Sequence, residues 1–107
     1  MKIERHLVPR MTIGEFARAN DLTMVVRERN PRDMEDFRCT YRFYARFKDS
    51  DLKEGPILSG EYGNGHSEEE AIRNYAALIS GRLLVINAYS HAGASRREIR
   101  VPILIRK

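Results

Sequence analysis

The sequence predicts a small single-domain α+β protein, with a mainly antiparallel sheet, helices packed on one of its faces, and the element order α-β-β-β-α-β-β. Three observations predict it. Two segments, residues 12–20 and 67–81, pair a helix-start signature with apolar residues at helical spacing. The segments between and after them alternate apolar and polar residues with the period of a strand. The chain has 107 residues, 42% of them apolar and 32% charged, which suits one buried core and one domain. Residues 1–107 read as a single ligand-binding domain, of which 1–10 are an N-terminal extension.

The first helix begins after Thr12. Thr12-Ile13-Gly14-Glu15 is a capping box, and Met11 and Phe16 occupy the positions of a hydrophobic staple. Asn20 is a suitable left-handed stop. Residues 22–29 follow as a strand, with Leu22, Met24 and Val26 on one face and Thr23, Val25, Arg27 and Arg29 on the other. The polar stretch 30–37 reads as a loop. In residues 39–48, Cys39, Tyr41, Phe43, Ala45 and Phe47 alternate with Thr40, Arg42, Tyr44, Arg46 and Lys48, giving one core face and one basic face carrying a tyrosine. Residues 49–55 are expected to turn, and 56–62 to form a third strand.

Gly63-Asn64-Gly65-His66 punctuates the chain before the main helix. Ser67 is its N-cap in a second capping box with Glu70, and three glutamates in the first turn complement the helix dipole. Ala71, Ile72, Tyr75, Leu78 and Ile79 form the buried stripe, and Gly81 closes the helix. Residues 83–89 are almost wholly apolar and predict a central strand; 90–95 form a small-residue loop. The last strand, 98–105, should turn Ile99, Val101, Ile103 and Ile105 inward, and Pro102 favours an edge position.

Composition narrows the function. No apolar run approaches the ~20 residues of a membrane helix, and the charged first ten residues do not read as a leader. The lone Cys39 fits a reducing cytoplasm and reads as a core residue. A catalytic reading finds little to use. His6, His66 and His91 lie far apart with no metal-ligand spacing, and only His91 falls near other candidate ligand contacts. Gly63-Asn64-Gly65 before a helix suits a phosphate cradle, but Glu68, Glu69 and Glu70 would repel the anion, so a strand-to-helix turn is the better reading. No enzyme activity, cofactor or metal is expected.

Arginine carries the remaining signal. Fifteen of the nineteen basic residues are Arg, whose planar fork matches phosphate and carboxylate. Arg27 and Arg29 project from the first strand. Asn87 and Tyr89 end the penultimate strand, His91 follows, and Arg96, Arg97 and Arg100 open the last. Guanidinium forks, a ring for stacking and an amide for a base edge suit a small anionic nucleotide.

Two resemblances add to this. The order helix, three strands, helix, and the text from Gly63 to Ala71, resemble double-stranded-RNA-binding domains. The lysines that family uses on phosphates are replaced here by glutamates, so duplex RNA is not the expected partner. Met11 to Phe16, Arg27-Glu28-Arg29, Gly63-Asn64-Gly65, the runs Ile79 to Gly81 and Val85 to Tyr89, and Arg96 to Pro102 together resemble small bacteriophage proteins of the Thoeris anti-defence 1 family. That resemblance implies a sponge in the infected cell's cytoplasm that sequesters immune cyclic nucleotides, cyclic ADP-ribose isomers or CBASS cyclic oligonucleotides, without cleaving them. It also implies homo-oligomers with ligand between subunits. The matching residue types are Arg27, the Asn87 region, and Arg96, Arg97 and Arg100. The alternative is a small nucleic-acid-binding or host-protein-binding phage module.

Overall fold

The computed structural model describes residues 1–2, 10–30, 32, 40–89 and 95–106. The N-terminal extension, most of the 30–37 loop, Cys39 and most of the 90–95 loop lie largely or wholly outside them. In chain order the elements are α1 (Ile13–Ala19), β1 (Met24–Glu28), β2 (Phe43–Phe47), β3 (Ser50–Glu54), β4 (Ile57–Ser59), β5 (Gly63–Gly65), α2 (Glu68–Ile79), β6 (Leu83–Ile86) and β7 (Arg97–Arg100). The strands form two antiparallel sheets, one ordered β1-β2-β5 and the other β4-β3-β6-β7. The α+β class holds.

Helix α1 starts as expected. The Thr12 hydroxyl accepts from the Glu15 N–H at 3.2 Å, and the Glu15 carboxylate accepts from the Thr12 N–H at 3.2 Å. Its left-handed exit is displaced by one residue: Asn20 has φ −113°, and Asp21 takes φ 53°. Helix α2 is capped by Ser67, whose hydroxyl accepts from the Glu70 N–H at 3.1 Å. Among the described residues the reciprocal arm of a full box forms only at Thr12. Gly81 closes α2 with φ 75°.

The segment expected to turn after β2 is instead a strand. Residues 50–54 alternate with only Leu52 apolar, a weak sequence signal, but β3 lies between β4 and β6 and is held by pairing on both sides. The reversal is the two-residue turn Gly55-Pro56, where Gly55 supplies φ 59°. The strand expected over 56–62 forms only over Ile57–Ser59, as β4, and Gly63-Asn64-Gly65 is the sheet strand β5 rather than a connection. Its glycines are set by packing. A Cβ on Gly63 would lie 2.5 Å from the Ala71 carbonyl oxygen, and one on Gly65 would lie 2.7 Å from the Glu70 carbonyl carbon. Helix α2 rests directly on the β5 backbone and also packs on β2.

The core joins both sheets and both helices. Phe16, Ala45, Phe47, Leu52, Ala71, Tyr75, Ile79, Leu84, Ile86 and Val101 are all buried in it. Phe47 packs edge-on to Tyr75, with centroids 5.5 Å apart, and tilted against Phe16 at 6.1 Å. Buried Ser50 satisfies its own hydroxyl and that of Tyr75: it donates to the Phe47 carbonyl at 2.6 Å and lies 3.2 Å from the Tyr75 oxygen.

The C-terminal alternation ends early. β7 is an edge strand, as Pro102 suggested, and Val101 is buried, but Ile103 and Ile105 are 65% and 42% exposed. Beyond β7 the chain leaves the sheet to tie the two helices together. Leu104 N–H bonds the Ser80 hydroxyl at 3.0 Å, and Ile105 N–H bonds the Met11 carbonyl at 3.0 Å. That route puts Leu104, rather than its neighbours, against the core. No helix among the described residues is long and apolar enough to cross a membrane.

Candidate functional site

Seven of the eight candidate residues fall in three places, and the eighth, His91, lies outside the described residues. Asn87, Tyr89, Arg96 and Arg97 gather where β6 ends and β7 begins, because Ile86 pairs with Arg97. Arg100 pairs with Leu83, three residues or ~10 Å along the same ladder, and donates to the Gly81 carbonyl at 3.3 Å. Arg27 and Arg29 belong to the other sheet, at the end of β1 farther from Asn20.

The β6–β7 end is built on backbone turns. Asn87 has φ 60°, its N–H bonds the Asp49 carbonyl at 3.0 Å, and its side-chain amide donates to the Ser95 carbonyl at 3.2 Å. Asp49 itself has φ 58°. The Arg97 guanidinium donates to the Asn20 carbonyl at 2.6 Å, beside the third left-handed residue, Asp21. Asn and Asp tolerate this conformation better than most side chains. Three such residues therefore meet at one junction between α1, the β2–β3 bend and the β6 end.

Around that junction Tyr89 is 67% exposed. Arg96 is exposed, 3.6 Å from the Glu98 carboxylate. Glu98 is held below its ordinary value of 4.5, chiefly by the hydrogen bond from Lys53 and that group's charge. Asp21 and Asp49 are exposed there too. Arg96, beside Glu98, and Arg97, bonded to Asn20 from the other face of β7, offer donors for phosphate, Tyr89 a ring for a base, and Asp21 and Asp49 carboxylates that accept from ribose hydroxyls.

Arg27 and Arg29 belong to a different surface. Core-facing Val26, Ala45 and Phe47 alternate with outward residues, and α2 covers the core side. The opposite face of β1-β2-β5 therefore presents Val25, Arg27 and Arg29; Arg42, Tyr44, Arg46 and Lys48; and Tyr62, Asn64 and His66. The register sets Arg27 opposite Tyr44 and Tyr44 opposite Asn64. Arg29 sits at the centre. It donates to the carbonyls of Tyr41 and Phe43 at 3.0 and 3.3 Å and to Asn64 Oδ1 at 2.6 Å. Its guanidinium carbon lies 4.7 Å from the Tyr44 ring centroid and 5.5 Å from that of Tyr62.

Sequence reasoning found the β1 and β2 members of this face but not Tyr62 and Asn64. Their only signal was the apolar–polar alternation across 62–66, which glycines obscure.

A groove of about 930 Å³ also opens between α1, α2 and the C-terminal segment, with Ile13, Ile72 and Leu104 on its walls and Arg18, Arg73 and Arg106 around them. It contains none of the seven described candidates. Among the described residues no three His, Cys, Asp or Glu side chains are grouped to hold a metal. No protein-family model, curated protein or solved structure matches this chain.

Proposed function

We propose that this protein binds a cyclic nucleotide signal and releases it unchanged, acting as a stoichiometric sponge for cyclic ADP-ribose isomers or cyclic oligonucleotides of phage defence. The observation that carries this reading is the junction where Asn87, Tyr89, Arg96 and Arg97 meet Asp21 and Asp49. Arg96 and Arg97 supply guanidinium donors for phosphate, Tyr89 a ring face, and the carboxylates acceptors for ribose hydroxyls. The sequence resemblance to Thoeris anti-defence 1 proteins points to the same stretch. In that family ligand lies between subunits, so a homo-oligomer belongs to this reading.

Sequestration needs tight, pre-organised contacts rather than a general base. The Asn87–Ser95 and Arg97–Asn20 bonds supply that pre-organisation. Calorimetry with cyclic ADP-ribose isomers and cyclic trinucleotides tests it, on the wild type and on Arg96→Ala, Arg97→Ala and Tyr89→Ala. Losing a charge-assisted contact commonly weakens binding roughly ten- to a hundredfold. Absence of binding for every ligand rejects the sponge. A ligand recovered chemically altered would make the protein an enzyme, and tight binding that ignores all three substitutions would move the site elsewhere.

A further inference from the structure

The face of β1-β2-β5 turned away from α2 has a composition that a merely solvated sheet face does not need. By register and alternation it carries five cations, Arg27, Arg29, Arg42, Arg46 and Lys48, and no carboxylate among the described residues. Glu28 reaches Arg42 at 2.5 Å from the neighbouring register position, in an exposed pair that salt weakens. Arg27 and Lys48 are exposed, with no side-chain partner among the described residues. Set among these cations are two tyrosines, Tyr44 and Tyr62, with ring centroids 5.4 Å apart and Tyr62 44% exposed. His66 lies against Tyr41, centroids 5.0 Å apart, at the end of the sheet.

We infer that this face binds single-stranded nucleic acid, with unpaired bases stacked on Tyr62 and the surrounding rings and backbone phosphates held by Arg27 and Lys48. Arg29 is a positioning residue. Its three hydrogen bonds and two ring contacts fix Tyr44, Tyr62 and Asn64 relative to one another, so the rings form a rigid platform before any ligand arrives.

Phosphate alone would need the cations but not the rings. Rings on an open antiparallel sheet, flanked by Arg and Lys, are how a sheet face takes up unstacked bases, commonly two or three on a platform of this kind. Three strands about 4.8 Å apart make a flat surface roughly 10 Å across, wide enough for one strand of nucleic acid. A duplex keeps its bases stacked within, where tyrosine faces have no access to them. The chemistry is shared by RNA and DNA, because stacking and phosphate contacts do not read the 2′-hydroxyl.

This surface and the β6–β7 junction are built from different residues, so the inference does not rest on the sponge reading.

Fluorescence anisotropy with labelled 12-mers of oligouridylate and oligothymidylate tests it, alongside a 12-base-pair RNA duplex, over a range of salt. At least one single strand should bind, more tightly than the duplex, and the tighter of the two identifies the natural source. Tyr62→Ala should weaken that binding roughly tenfold or more. Arg27→Ala and Lys48→Ala should each take roughly 0.7 off the slope of log affinity against log salt. All three side chains are exposed, and an unchanged thermal melt confirms that each variant folds. Failure of both single strands to bind at low salt overturns the inference. So does a duplex bound as tightly as the single strands. Equal affinity of Tyr62→Ala and wild type, or displacement of the strand by an equimolar charge of polyglutamate, reduces the face to a nonspecific cationic patch and overturns it equally.

Discussion

Replacing Gly63 by alanine tests how closely α2 lies on β5. The added methyl would sit 2.5 Å from the Ala71 carbonyl oxygen, 2.6 Å from Tyr75 Cα, and closer still to the Tyr75 nitrogen. All three are helix backbone atoms, with no flexible end to swing aside. Ordinary contact begins near 3.4 Å, so the helix must retreat by close to 1 Å along the line of its buried residues Ala71, Tyr75 and Ile79. Overpacking of this kind commonly costs ~1–3 kcal/mol, and a backbone clash at the centre of a helix–sheet contact belongs at the upper end, about 3 kcal/mol. Urea unfolding followed by circular dichroism measures it, with the midpoint falling while the slope is kept. Gly14→Ala is the opposite control. Its methyl would meet only the Thr12 hydroxyl at 3.9 Å in the first turn of α1, and it should stabilise by about 0.5 kcal/mol. A Gly63→Ala unfolding free energy within ~0.5 kcal/mol of the wild type would refute the close packing and its account of the Gly-Asn-Gly strand.

Ser67→Ala should cost about 1 kcal/mol in the same assay, because it orphans the Glu70 N–H at the start of α2. Burial pushes the Tyr75 hydroxyl above its ordinary value of 10.0, despite the lowering effect of the Ser50 hydrogen bond. The folded state therefore holds that proton more tightly than the unfolded chain. Its stabilising effect is complete below pH 10 and is lost as pH rises through the folded value, and Tyr75→Phe should flatten this alkaline fall in unfolding free energy. Lys53→Met should raise the carboxyl titration midpoint of Glu98 toward 4.5, read by NMR, since Lys53 supplies both the hydrogen bond and the charge that lower it. Duplex RNA should bind weakly in gel shifts at moderate salt, because the first turn of α2 presents Glu68, Glu69 and Glu70; micromolar, length-dependent binding would contradict this.

The helices were legible because their signals are local. Thr12 with Glu15, and Ser67 with the Ala71, Tyr75, Ile79 spacing, encode start, buried stripe and stop within a few turns. The sheets were legible only where a strand buries a whole face, as in Phe43, Ala45, Phe47 and Leu84 to Ile86. Strand β3 was missed because Ser50, Asp51, Lys53 and Glu54 lack that pattern; what holds them is backbone pairing to β4 and to β6, the latter thirty residues or more away in sequence. Strand β5 was missed because its glycines answer to the proximity of α2, which sequence spacing does not express. The candidate site follows the same division. Alternation placed Arg27 and Arg29 on one face and set Asn87 and Arg97 at strand ends, but which sheet each strand joined was a long-range outcome. One expected cluster therefore became a junction, a separate sheet face and a distant Arg100.

Residues 43–54 and 57–65 run as a single bent hairpin through both sheets, turning at Gly55-Pro56 and bending near Asp49. This fixes the cheapest order of assembly. Closing a two-residue turn costs far less chain entropy than bringing β1 to β2 across residues 29–42, or β6 to β3 across 55–82. The hairpin arm β3–β4 is thus the nucleus most readily reached, and once formed it offers β6 a paired template on one side while its continuation offers β5 to β2. Neither sheet is an independent folding unit, because each contributes one half of the same arm. Changes in the Gly55-Pro56 turn should then act chiefly on the rate of folding.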